Sequence, residues 1–238
     1  MSGERVESGP LRLRARGELA CFTRPEFKVE RVSYEVITPS AARALFECVL
    51  WKPQLKWEVH EVAVLAPVQW SSFRRNEVKS RAGPRCREII ADEDRTQRNT
   101  VALRDVDYVL TASFALNGPS GPDCNVPKYL NMFRERLARG QHHRAPYLGC
   151  REFSARLDEA PASFECFEGA HGVRRSLGWM FYDYHWPAES DADLTRGPGT
   201  AMFFEAWLDG GVMKLPRKSE VLAMHETKGG GRTPRSGA

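Results

Sequence analysis

Between Asn125 and Phe153 the chain reads NVPKYLNMFRERLARGQHHRAPYLGCREF, and this stretch constrains the fold more than any other. Asn125 is a good helix cap, Pro127 suits a first turn, and Gly140 can close the helix in a left-handed conformation, so a short helix is predicted from Val126 to Arg139. Tyr129, Leu130, Phe133 and Leu137 recur at helical spacing, while Arg134, Arg136 and Arg139 crowd the other faces. One side seeks a core and the other seeks anions. Lys128 stands in the first turn, where the positive end of the helix dipole ordinarily favours acids. A visiting phosphate would meet unbonded N–H groups and an ammonium there. From the helix alone, a solvated lysine on an ordinary amphipathic helix is the simpler reading.

With 238 residues and 42% hydrophobic content, the chain can hold one large domain or two small ones. No apolar run approaches the ~18 residues of a membrane span, and the Arg-rich N-terminus lacks the apolar block of a secretory signal. A cytoplasmic protein without membrane contact is expected. The net charge of +4 permits nucleic-acid binding without requiring it. Six cysteines contain no C-x-x-C pair, and none of the six histidines stands at a recognised metal spacing, so no metal site is expected. The thiols read as core residues, with Cys150 alone inside a suggestive motif, PYLGCREF. Walker and dinucleotide patterns are also missing, and no cofactor is expected.

In order, Leu11 to Phe22 alternates as a strand with a basic face of Arg12, Arg14 and Arg16. An irregular extended stretch with Arg24, Lys28, Arg31 and Tyr34 follows. Thr38 and Pro39 start a helix whose Ala42, Leu45, Phe46 and Val49 form an apolar stripe, ended near Trp51 by Pro53. A bulged strand runs from Leu55 to Pro67. Residues 69–98 hold many charges without a sustained period and read as a mobile basic loop, with Asp92 to Asp94 as its solvated tip. Thr100 to Leu116 is a third strand, the GPSGPD segment breaks the chain before the opening helix, and PYLGCREFSARL is a fourth strand. This order is that of an α+β, ferredoxin-like (RRM-like) βαββαβ domain over 11–158, with helices on one face and an open cationic sheet on the other. That face serves many binders of single-stranded RNA, by analogy. Residues 159–226 read as a small C-terminal antiparallel β region with a DGG hairpin, and 1–10 and 227–238 as flexible termini.

Basic residues interleave with aromatics at Arg24, Arg31 and Tyr34, at Trp51 and Lys52, and at Trp70, Phe73, Arg74 and Arg75. Rings and guanidinium planes stack unpaired bases while cations hold phosphates. Singly, Trp51 fits a core and Arg74 fits solvent; only their convergence points to RNA. His142 and His143 could move protons near a bound phosphate or form a plain polar loop.

The blocks FTRPEFKVERVSYEVITPSAARALFE, WKP, RRNEV, NVPKYLNMFRERLARGQ and PYLGCREF resemble, in order and spacing, the CRISPR-associated Cas proteins of family five, Dvulg subtype, of type I-C systems, over Leu11 to Leu215. The resemblance implies a ferredoxin-like domain with a C-terminal β extension. It also implies a metal-independent endoribonuclease of antiviral defence that cuts CRISPR repeat RNA by 2′-hydroxyl attack, leaving a 2′,3′-cyclic phosphate. The protein would then stay on the crRNA 5′ handle beside other subunits of the interference complex. The family's catalytic groups are a Tyr or His just before WKP and a Lys-His pair opening the second helix. Here Leu50 takes the first place, and the pair is Lys128 and Tyr129. The expected catalytic set is therefore Lys128, stabilising charge, and Tyr129 as acid or base, assisted by His142 or His143. Arg74, Arg75, Asn76 and Arg134 join the basic and aromatic residues above as expected RNA contacts. A non-catalytic handle-binding subunit is the alternative, and duplex DNA is a further ligand for the same basic surface.

Overall fold

The computed structural model describes residues 6–27, 29–80, 83, 88–117, 121, 124–168, 172–185 and 199–228. Leu11, Leu13 and Ala15 turn inward from β1 (Leu11–Ala20), and β2 (Arg31–Val32) is a two-residue strand. In α1 (Pro39–Val49) the Thr38 hydroxyl accepts from Ala41 N, and Ala42, Leu45, Phe46 and Val49 are buried. Then come β3 (Leu55–Val64), β4 (Gln69–Val78), the 22-residue β5 (Arg95–Leu116), α2 (Val126–Ala138), β6 (Arg156–Glu159), β7 (Arg174–His185), β8 (Thr200–Asp209), β9 (Val212–Lys214) and α3 (Lys218–Lys228). The protein is thus a mixed α/β fold dominated by antiparallel pairing, with three helices among the described residues. One nine-stranded sheet runs β6-β1-β5-β3-β9-β8-β7, with β2 and β4 also on β5. No helix among the described residues is long and apolar enough to cross a membrane.

The core lies where both α1 and α2 meet one side of β3 and β5. Phe46 stacks on Phe133 at 5.8 Å, Trp57 touches them at 5.1 and 5.2 Å, and Phe114 meets Trp57 edge-on at 5.1 Å. The C-terminal hairpin turns at Gly210 and Gly211, both with positive φ, and β9 joins it to β3 from Glu61↔Lys214 to Ala63↔Val212.

The two ends of the stretch expected to be a mobile loop, residues 69–78 and 95–98, are strands. β4 pairs with β5 from Gln69↔Arg104 to Val78↔Arg95, a two-stranded ribbon running on beyond the β1 register, which ends at Ala20↔Leu103. Asp94 holds its far part: Ser80 donates to that carboxylate through its N–H (2.7 Å) and its hydroxyl (3.0 Å). Arg81, Arg85 and Arg87 lie outside the described residues.

Three further expectations change. Residues 6–10 are not frayed: Ser8 N donates to Phe114 O at 2.8 Å and Leu116 N to Val6 O at 3.1 Å. Thr227 and Lys228 belong to α3, which is anchored by fully buried Val221 and by Arg217 N donating to Glu220 at 3.0 Å. The strand expected from PYLGCREFSARL shrinks to β6, because a turn intervenes in which Leu148 N donates to Phe153 O at 2.8 Å and Phe153 N to Cys150 O at 3.0 Å. Gly149 sits in that turn at φ +83°, where an added Cβ would lie 2.0 Å from Cys21 O. Gly149→Ala should therefore cost about 3 kcal/mol in urea unfolding, combining strained backbone with a clash that backbone atoms cannot relieve. A loss below about 0.5 kcal/mol would contradict this packing.

Candidate nucleic-acid interface

The first turn of α2 is built by its cap. The Asn125 side-chain oxygen accepts from Lys128 N at 2.9 Å, and no acid stands in that turn. Lys128 itself is exposed. Tyr129, one residue on and about 100° round the helix, points the other way: it is 5% exposed, with its ring edge-on to Phe114. The helix thus separates the two expected catalytic neighbours, one toward solvent and one toward the core.

His143 belongs to the opposite end of α2, since about 15 Å of helix axis separates Lys128 from Ala138. Its N–H donates to Cys48 O at the close of α1, and its ring stacks on Trp51 at 5.8 Å and 16°. Trp51 is 47% exposed rather than core, with Lys52 half-buried beside it. Arg134 projects from an exposed position on α2. This end offers a flat aromatic platform flanked by cations.

The ribbon presents two faces. On the outer one stand Trp70, 46% exposed, with Ser72, Arg74, Asn76 and Val78. Arg74 donates to Asn99 (3.3 Å) and Gln97 (3.5 Å), neutral amides that leave its charge in place. Gln97 and Asn99 escaped the sequence reading; the polar alternation TQRN was their only signal. On the inner face Arg75 pairs with Glu152 and lies over the rings of Phe73 and Phe153, at 5.5 and 5.7 Å. Arg31 pairs with Glu77 (3.4 Å) and Glu152 (3.6 Å).

Several expected RNA contacts are therefore drawn inward. Tyr34 is 1% exposed and its hydroxyl accepts from Phe181 N at 3.1 Å, so no base can reach its ring; the core claims it. Arg24 covers that ring at 4.7 Å and pairs with Glu26 at 3.6 Å. Arg31 and Arg75 hold the ribbon to the turn before β6. Nor is the sheet's other face openly cationic: Arg14 pairs with Asp107, Arg16 with Asp158, and Arg12 lies over Phe164 at 5.9 Å.

The Cas5d family model, described as CRISPR-associated protein (Cas_Cas5), matches residues 10–212. This chain belongs to the CRISPR-associated Cas5 family. Two curated relatives, both called CRISPR pre-crRNA endoribonuclease Cas5d, are similar to it. The one from Mannheimia succiniciproducens is 38% identical over 222 residues, 87% of this chain and 94% of the relative. The one from Thermus thermophilus is 39% identical over 216 residues, 87% and 91%. Among solved structures, one described as a CRISPR-associated protein matches this Cas5 chain with a TM-score of 0.68 at 23% identity, over 92% of this chain and 97% of that one. The functionally uncharacterized protein SMU1763c from Streptococcus mutans matches with a TM-score of 0.67 at 23% identity, over 91% and 97%. Both share the fold.

Proposed function

We propose that this Cas5 protein is an endoribonuclease that processes CRISPR precursor RNA, without a metal, and then keeps the crRNA 5′ handle within a type I-C interference complex. The observation that carries the reading is an exposed lysine opening a capped helix, in a family whose curated relatives are called pre-crRNA endoribonucleases. The strand order β6-β1-β5-β3, with α1 and α2 in the crossovers, supports a ferredoxin-like core over 11–158, with 159–226 as its β extension.

In this reading the scissile phosphate rests at the N-terminus of α2. Lys128 stabilises the charge that builds on the phosphoryl oxygens as the neighbouring 2′-hydroxyl attacks. The Tyr129 ring is held in the core, and proton transfer falls to its hydroxyl only where that edge meets the phosphate beside Lys128. Trp51, His143 and Lys52 stack and hold a neighbouring nucleotide, and Trp70, Arg74 and Asn76 line a track along the ribbon, with Arg134 an outlying phosphate contact. Duplex DNA would use the same cations without base recognition, with affinity falling steeply as salt rises.

The test is incubation of the protein with its repeat RNA in EDTA. A single cut ending in a 2′,3′-cyclic phosphate, blocked by a 2′-deoxy substitution at that site, is the expected product. Intact RNA at enzyme excess would defeat the reading. It would leave the second one, a non-cutting subunit that caps the handle and contacts other subunits. That alternative is favoured by one observation: Leu50, in the place where the resemblance puts a Tyr or His, is fully buried and has no ionisable group to transfer a proton.

A further inference from the structure

Cys21 directly follows β1, and Cys150 lies 129 residues later in the turn before β6, yet the two sit side by side. Cys21 N donates to Leu148 O at 3.0 Å, Gly149 lets the turn press on the Cys21 backbone, and the Cys150 sulfur is 3.7 Å from Cys21 O. The Cys150 thiol donates to that Cys21 oxygen, and Cys21 Sγ lies 3.6 Å from the Thr23 hydroxyl. Ala102 and Phe153 complete a small apolar cluster around them. Such a nest ordinarily keeps thiols protonated and inert.

Charge makes this pair different. Arg31 donates to the Cys150 sulfur at 3.1 Å. Its surroundings are Arg75 and Arg98 with the carboxylates of Glu77 and Glu152, three guanidiniums against two carboxylates. A thiolate at Cys150 would balance the third. The neighbouring Cys21 thiol, as a donor to the ionised sulfur, draws the Cys150 thiol below its ordinary range, burial opposes this, and Arg31 adds to the fall; Cys21 itself is pushed up. A cavity of about 320 Å³ lined by Cys21, Thr23, Tyr147 and Gly149 reaches the Cys21 side of the pair, and Cys150 itself keeps 7% of its surface exposed.

We propose that Cys21 and Cys150 are a peroxide-responsive thiol pair that closes an internal disulfide, pinning the turn before β6 to the end of β1. In the first step the Cys150 thiolate attacks hydrogen peroxide: an S–O bond forms, the O–O bond breaks, and hydroxide leaves a sulfenic acid behind. In the second the Cys21 sulfur attacks that sulfur, the S–S bond forms, and the oxygen departs with the Cys21 proton as water. Two thiols give up two electrons and two protons, and the peroxide becomes two waters. Closure also removes the sulfur's negative charge from beside Arg31, at the foot of the ribbon. None of this depends on RNA.

The experiment treats the full chain with a small excess of hydrogen peroxide, followed by intact mass and peptide mapping. The expected result is the loss of two hydrogens, a linked Cys21–Cys150 peptide that dithiothreitol reopens, and oxidation of Cys150 about tenfold faster than buried Cys48. In Cys21→Ser, dimedone should trap the Cys150 sulfenic acid, because the resolving thiol is gone. Arg31→Gln should slow oxidation about tenfold. Competition among the thiols of the unaltered chain decides the matter even where a variant folds poorly. Prior oxidation of Cys48, Cys124 or Cys166, or Cys150 reaching the sulfinic acid with Cys21 still reduced, overturns the proposal.

Discussion

Phe133→Ala is expected to lower the stability to urea by about 3 to 5 kcal/mol, the range for truncating a buried phenylalanine. A domain of this kind has only about 5 to 15 kcal/mol to lose. The ring is 1% exposed and packs against both Phe46 of α1 and Trp57 of β3. The void cannot easily collapse: Trp57 is fixed by its indole N–H donating to Leu50 O at 3.0 Å and by Phe114 on its other side. Moving it to fill the gap would break that bond. Arg134→Ala, next along the helix but exposed, should change stability by less than about 0.5 kcal/mol. A Phe133→Ala loss of under about 1 kcal/mol would mean that α2 is not held to the sheet through this aromatic cluster.

Where one face of an element is buried and the other wet, the sequence was legible. Thr38 and Asn125 announced α1 and α2, their Pro residues fell in the first turns, and apolar spacing assigned the buried sides. The ribbon was not legible, because neither of its faces is apolar. Ser72, Arg74 and Asn76 alternate with Phe73, Arg75 and Glu77, and a period-two signal vanishes when inner arginines are as charged as outer ones. α3 failed for a related reason: one deeply buried valine leaves almost no stripe to detect.

The site was legible by chemistry and obscure by partnership. A basic residue beside an aromatic looks the same whether it awaits RNA or closes an internal ion pair. Arg14 finds Asp107 93 residues away and Arg16 finds Asp158 142 residues away, separations that no local pattern encodes. Tyr34 was misread because its hydroxyl serves a backbone N–H far along the chain. The exposed place of Lys128 in the first turn of α2 was legible, because its oddity is local: a cation in a helix turn that prefers acids.

Lys128→Ala is accordingly expected to slow repeat-RNA cleavage by about 10² to 10³, the cost of removing one preorganised donor from a developing anion. RNA affinity should change by only a few fold, since in the proposed function the lysine would be one contact among many on the ribbon and the Trp51 platform. Double substitution of Arg74 and Asn76 to alanine should do the reverse, weakening binding while the rate at saturating protein persists. Single-turnover rates against protein concentration separate the two effects. Tyr129 needs a gentler change: alanine would open the core beside Phe114, whereas Tyr129→Phe keeps the ring and removes only the hydroxyl. A rate drop in Tyr129→Phe with unchanged affinity assigns proton transfer to that hydroxyl. An undiminished rate gives the role to water or to the RNA itself, with the lysine still required. Cleavage at the parent rate in Lys128→Ala, with RNA saturated, would remove the helix start from the reaction altogether.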